Sequence, residues 1–175
     1  RPLRRIMPGS FEGARPEVIE FVKTNINPRT VLDVGPGKGT YADALRPVLS
    51  ESATIHGLEV FPPYVEMFDL ESKYDRVIIG NMLEHETYDY DLVIFGDVME
   101  HVHKHEAVAL WEKVKSQAKW AIIACPVIVW EQGAEFGNEH ETHLHHYDME
   151  EVISTFGQPV WHKRVVEVAS FIFKF

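Results

Sequence analysis

Short β-branched apolar runs alternate along this chain with longer segments whose apolar residues recur at helical spacing. That alternation predicts an α/β fold, a parallel sheet with helices on both faces. Strands are expected at residues 30–34, 54–59, 75–79, 91–95 and 119–125. Between them, helices are expected at about 15–25, with Pro16 tolerated in the first turn, and at 40 until Pro47 disturbs it. Pro62-Pro63 opens another, and Ala107, Val108, Leu110, Trp111 and Val114 mark the buried stripe of a helix over about 104–118. Asp148 caps a short helix to about Phe156, and 160–165 with 167–173 reads as a closing β-hairpin, which brings the strand count to seven. Residues 127–146 stay irregular, and a loop of that length in a compact domain is usually functional or mobile.

The first strand runs into Val31-Leu32-Asp33-Val34-Gly35-Pro36-Gly37-Lys38-Gly39-Thr40-Tyr41. Glycines at 35, 37 and 39 allow positive φ and let a ligand approach main-chain N–H groups, as a nucleotide-like cofactor requires. The spacing is G-x-G-x-G, not the G-x-G-x-x-G of a dinucleotide fold, and Asp33 stands two residues ahead of it. A carboxylate there repels pyrophosphate but suits a cofactor carrying an ammonium and a sulfonium. Asp33, Gly35, Gly37 and Gly39 have the form E/D-x-G-x-G-x-G, and on them the chain resembles the class I S-adenosylmethionine (SAM) dependent methyltransferases.

The resemblance implies a Rossmann-like, seven-stranded, mostly parallel sheet, with SAM as donor and S-adenosylhomocysteine (SAH) as product. It implies a donor site at Asp33, Gly35, Pro36, Gly37, Gly39 and Tyr41, with Gly96 and Asp97 at the end of the fourth strand. Glu59 closes the second strand where the cofactor ribose would lie, and a carboxylate accepts from both vicinal hydroxyls; the alternative is a solvated strand-end acid. Val60 and Phe61 could flank the adenine, with Asn81 and Met82 on its other side. The family often has Asp where Asn81 stands, so a turn asparagine is the competing reading.

Asp97-Val98-Met99-Glu100-His101 looks like the family's D-x-x-E-H element. The segment lacks D/N-P-P-Y/F and a Pro-Cys nucleophile, which counts against nucleobase methylation. Ten histidines are present, mostly in two clusters: His101, His103 and His105, then His140, His143, His145 and His146. A histidine base suits a hydroxyl acceptor. His101 is the first candidate beside Asp97, and its competing role is to cap the next helix. His143 or His146 would line the acceptor pocket, unless that loop is only a polar lid.

No metal is expected, because His140-Glu141-Thr142-His143 lacks H-E-x-x-H spacing, Cys125 stands alone, and Pro126 occupies the place of an acid after the fifth strand. Cys125 reads as a buried strand thiol, pointing weakly to a reducing, cytoplasmic compartment. A formal net charge of −10 argues against nucleic acid as partner, and Arg1, Arg4, Arg5, Arg15, Arg29 and Lys38 give the N-terminal end its only basic bias. No apolar run approaches the roughly 20 residues of a membrane span. The 175 residues read as a single methyltransferase domain, and the start without Met leaves open that it is excised from a larger polypeptide. The expected activity is O-methylation of a small molecule or sugar. The alternatives are N-methylation of a small amine and a SAM-binding module without catalysis.

Overall fold

The fold was analysed in a computed structural model that describes residues 12–175; the cluster Arg1, Arg4 and Arg5 lies outside the described residues. Among the described residues seven strands form one sheet: β1 (Thr30–Val34), β2 (Thr54–Glu59), β3 (Arg76–Ile79), β4 (Leu92–Gly96), β5 (Trp120–Pro126), β6 (Trp161–Val165) and β7 (Val168–Lys174). Their spatial order is β3-β2-β1-β4-β5-β7-β6. β1 to β5 are parallel, with Val31 opposite Ile55 on one side and Leu92 on the other, whereas β7 is antiparallel to both β5 and β6.

Central parallel strands are covered on both faces and must be apolar throughout. Every residue of β4 is accordingly buried. Side chains alternate between faces along a strand, and two cores result. Leu32, Val34, Val93, Phe95, Ile123 and Phe171 face one core, and Val31, Ile55, Leu92, Ile94, Ile122 and Ile172 face the other. The first face is covered by α4 (Lys104–Gln117) and α5 (Met149–Phe156), the second by α1 (Arg15–Phe21) and α2 (Thr40–Leu45). The short α3 (Pro63–Met67) follows β2.

Several details depart from the sequence pattern. The first helix is α-helical only to Phe21; Val22–Ile26 forms a π-helical turn that ends at left-handed Asn27. α2 stops at Leu45; Arg46 still has helical φ and ψ, and Pro47 after it has no N–H with which to continue the helix. Val108 is 37% exposed, not buried. At 100° per residue it stands about 110° from the centre of the stripe formed by Ala107, Leu110, Trp111 and Val114. The caps agree with the sequence: Asp148 Oδ1 accepts from the Glu151 N–H at 2.8 Å. Cys125 is fully buried, and burial pushes its thiol well above the usual range. Among the described residues no helix is long and apolar enough to cross a membrane.

Candidate active site

Strand order reverses direction at β1, so the connections leaving β1 and β4 part to opposite faces and open a crevice at the carboxyl ends of the strands. A cavity lies there. Its floor is the glycine turn after β1, its walls are the ends of β2, β3 and β4, and its roof is the long loop after β5.

Gly35, Gly37 and Gly39 all have positive φ, at 63°, 52° and 76°. They differ in what surrounds them. A Cβ on Gly35 would stand 2.3 Å from Val98 Cγ1, so this glycine lets the β1 turn pack against the β4 turn. A Cβ on Gly37 would meet no protein atom within 4 Å, and Gly37 borders the cavity. The backbone at Gly37 is therefore open to a ligand. Gly37→Ala is expected to weaken SAH binding at least about tenfold, while left-handed strain costs the free protein only about 1–2 kcal/mol. Calorimetry with SAH and thermal melting separate the two effects, and unchanged affinity would mean that the turn does not touch the ligand.

Asp33 and Tyr41 are placed differently from the cofactor roles that their motif suggests. Asp33 shares a face with Val31, toward α1 and α2, and is only 2% exposed. Its Oδ2 accepts a hydrogen bond from Tyr74 Oη at 2.6 Å, beneath the turn and not in the cavity. Burial raises its pKa to about 7, opposed by the Tyr74 bond and by Arg15. Tyr41 is buried in the same layer with Arg15 5.4 Å from its ring centroid. Gly39 likewise lies off the cavity, at the start of α2.

Pro36, Glu59, Val60, Asn81, Met82, Gly96 and Asp97 do border the cavity. Glu59 is 3% exposed and Oε1 accepts from the Phe61 N–H at 2.8 Å. Burial raises its pKa to about 7. Asn81 Oδ1 accepts from the Leu83 N–H at 2.9 Å, so the turn role is present in a residue that also faces the cavity. Phe61 instead packs edge-on against Tyr64, at 4.9 Å between ring centroids, and of these two rings it is Tyr64 that borders the cavity.

Asp97 takes a left-handed φ of 55° and its N–H donates to the Ala124 carbonyl at 2.8 Å, which fixes the turn out of β4. Immediately beyond it, Glu100 and His101 occupy one turn of 3-10 helix, Met99–His101. The roof is tied to that turn by the Leu144 and His145 N–H groups, which donate to the Glu100 carbonyl at 2.8 and 3.2 Å. This folds His143 against His101, with ring centroids 5.0 Å apart. Nδ1 of His101 lies 3.3 Å from the Thr142 carbonyl and Nδ1 of His143 lies 2.6 Å from the Trp130 carbonyl. A carbonyl only accepts, so each Nδ1 carries the proton and each Nε2 keeps a lone pair. Burial, reinforced by His143, lowers the His101 pKa to about 4; burial lowers that of His143 as well.

His146 does not border the cavity; its ring stands 6.2 Å from that of His143. His103 and His105 are exposed and stack on each other at the start of α4, and His145 binds Glu151 on α5 at 2.8 Å. Of the two histidine clusters the fold brings His101, His140 and His143 to the cavity. Sequence reasoning named Glu100 only as part of its motif, and it missed Glu141; both border the cavity. Burial raises the pKa of each, with Asp97 adding to the effect at Glu100. The adjacency of Glu100 to His101 was the available signal for the first. Glu141 had none, because its position depends on the path of the loop.

The residues fit a sulfonium nucleotide: an open backbone at Gly37, a carboxylate at the end of β2, and Asp97 where a cationic tail would emerge from the glycine turn. Fold and cavity define a class I SAM-dependent methyltransferase. The chain belongs to the methyltransferase domain family, whose model matches residues 5–118.

Solved structures agree on the fold. A SAM-dependent methyltransferase from Clostridium acetobutylicum ATCC 824 superposes with a TM-score of 0.69 at 11% identity, over 99% of this chain and 94% of that one. The N-terminal domain of EvdMO1 with SAH bound gives 0.66 at 12% identity, over 94% and 82%. The mitomycin 7-O-methyltransferase MmcR gives 0.64 at 14% identity, over 93% of this chain, which spans 54% of MmcR. No curated protein sequence matches.

Proposed function

We propose that this chain transfers the methyl group of SAM to a hydroxyl of a small molecule or sugar. The observation that carries the reading is the pair His101 and His143 at the end of β4, both neutral, each with an Nε2 lone pair left over. Methyl transfer is an in-line displacement that asks the protein chiefly to align acceptor, methyl and sulfur. An amine nucleophile already offers a lone pair. A hydroxyl must also lose its proton, and lone pairs that accept a hydrogen bond from that hydroxyl and orient it have a use there. SAM supplies a methyl group activated on a positive sulfur. Gly37 and Glu59 would hold the adenosine half, Asp97 would neutralise the amino-acid tail, and the roof would exclude water. EvdMO1 binds SAH and MmcR is a mitomycin 7-O-methyltransferase, which is consistent with this donor and with a hydroxyl acceptor.

A second reading, N-methylation of a small amine, is favoured by Glu59, Glu100 and Glu141 around the cavity, which would draw a cation. A methylation assay with labelled SAM and matched hydroxyl and amine acceptors separates the two. His101→Ala and His143→Ala are expected to lower kcat on the hydroxyl acceptor about 100-fold or more, with SAH affinity unchanged. Undiminished turnover in both variants, or methylation of amines alone, would overturn the hydroxyl reading.

A further inference from the structure

Glu100 is an anomaly in this fold. It is 2% exposed, and neither carboxylate oxygen has a hydrogen-bond partner. A carboxyl in that condition keeps a charge only beside a cation. Among the described residues no arginine or lysine borders this cavity. Around Glu100 stand the imidazoles of His101 and His143, the carboxyls of Asp97 and Glu141, and Tyr147 and Cys125.

One donor atom each from Glu100, His101 and His143 falls within 4.8 Å of the others. The Nδ1–H groups of both histidines are spent on backbone carbonyls, of Thr142 and Trp130. This is the outer-sphere arrangement that fixes the tautomer and ring of a metal-bound histidine and leaves Nε2 as the ligand. Bonds of about 2.0–2.2 Å in a tetrahedral site separate ligand atoms by about 3.3 Å, a contraction within reach of side-chain rotation.

We propose that Glu100, His101 and His143 bind a divalent transition-metal ion at the acceptor end of the cavity. Two imidazoles with one carboxylate select zinc or ferrous iron over magnesium and calcium, which prefer oxygen ligands. Three protein ligands leave coordination positions open toward the cavity, as in catalytic rather than structural sites. The expectation of no metal from local spacing is set aside because the ligands come from two distant segments, the turn after β4 and the roof. The role of the ion rests on the hydroxyl reading above. It lowers the pKa of an acceptor hydroxyl, whose proton leaves to water. The oxygen lone pair then forms the bond to the methyl carbon as the carbon–sulfur bond breaks and its electron pair returns to sulfur.

The test reads metal directly. Chelator-treated protein is titrated with Zn(II) by calorimetry and with Co(II) by visible absorption, the latter reporting imidazole ligation without any turnover. One equivalent is expected to bind. Glu100→Gln and His143→Ala should each weaken it about 100-fold or more, beyond the 10–100-fold that outer-sphere partners are worth. Thermal melting and SAH binding confirm that each variant is folded, and His162→Ala, on the exposed β6, should leave metal affinity unchanged. Absence of stoichiometric binding, or binding insensitive to both ligand variants, overturns the proposal. Methylation of a hydroxyl by metal-free protein overturns it too, while sparing the hydroxyl reading. Stoichiometric metal with methylation of amines only would do the reverse.

Discussion

Glu59→Ala is expected to weaken SAM and SAH binding by about 100-fold, because two charge-assisted hydrogen bonds to the ribose, together worth about 3 kcal/mol, disappear. The more diagnostic result is the pH dependence. Burial raises the Glu59 pKa to about 7 in the free protein, whereas ribose hydroxyls donate to the ionised form. Binding therefore releases a proton below pH 7, and affinity should rise about tenfold between pH 6 and 8 before levelling off. Adenosine is the suitable ligand for this calorimetry, since it carries the ribose without the titrating amino group of the tail. Glu59→Gln should bind weakly and without that slope; a slope that survives the substitution would remove Glu59 from the ribose site.

The same linkage acts on stability with the opposite sign. A carboxyl whose folded pKa lies above its unfolded value contributes stability that is present at low pH and lost as pH rises toward the folded value, here between about 4.5 and 7. Glu59→Gln should thus melt higher than the unsubstituted protein at pH 8 even though it binds the donor worse. A site that trades stability for function behaves in this way.

Trp111→Ala is the substitution expected to damage the fold most. Trp111 is 1% exposed and meets Phe95, Phe156, Phe173 and Phe175 with ring centroids 4.9–6.4 Å apart. Its Nε1–H donates to the Phe156 carbonyl at 2.7 Å, which pins α5 to α4. Removing the ring leaves a cavity and an unpaired carbonyl, at about 3–5 kcal/mol. At roughly 2–4 °C per kcal/mol for a domain of this size, the midpoint of thermal unfolding should fall by about 6–20 °C. Trp111→Phe should retain most of the packing and lose about 1–3 kcal/mol through the carbonyl alone. A small shift in the alanine variant would mean that the two helices do not depend on this ring.

The elements that local chemistry dictates were legible along the chain. β-Branched runs bounded by turns located the strands to within a residue or so, and Asp148 and Pro47 located helix ends. Trp111 was visible as a member of an apolar stripe, but not that phenylalanines from β4, α5 and β7, and Phe175 just after β7, converge on it. Asp33 shows a different limit. The motif suggested a ligand for a cation, yet strand alternation turns the side chain toward Val31 and the α1–α2 layer, where Tyr74 meets it from the turn before β3.

What the sequence determined by itself is the sheet with its glycine turn, and with them the class of cofactor, because periodicity, positive φ and a strand-end carboxylate are local properties. The acceptor side was decided only by the tertiary structure. Glu100 and His101 meet His143 because two N–H groups of the roof bind one carbonyl of the β4 turn, and a contact across that sequence distance leaves no periodic trace in either segment. A buried carboxylate without a partner becomes recognisable only once the fold has excluded water from it.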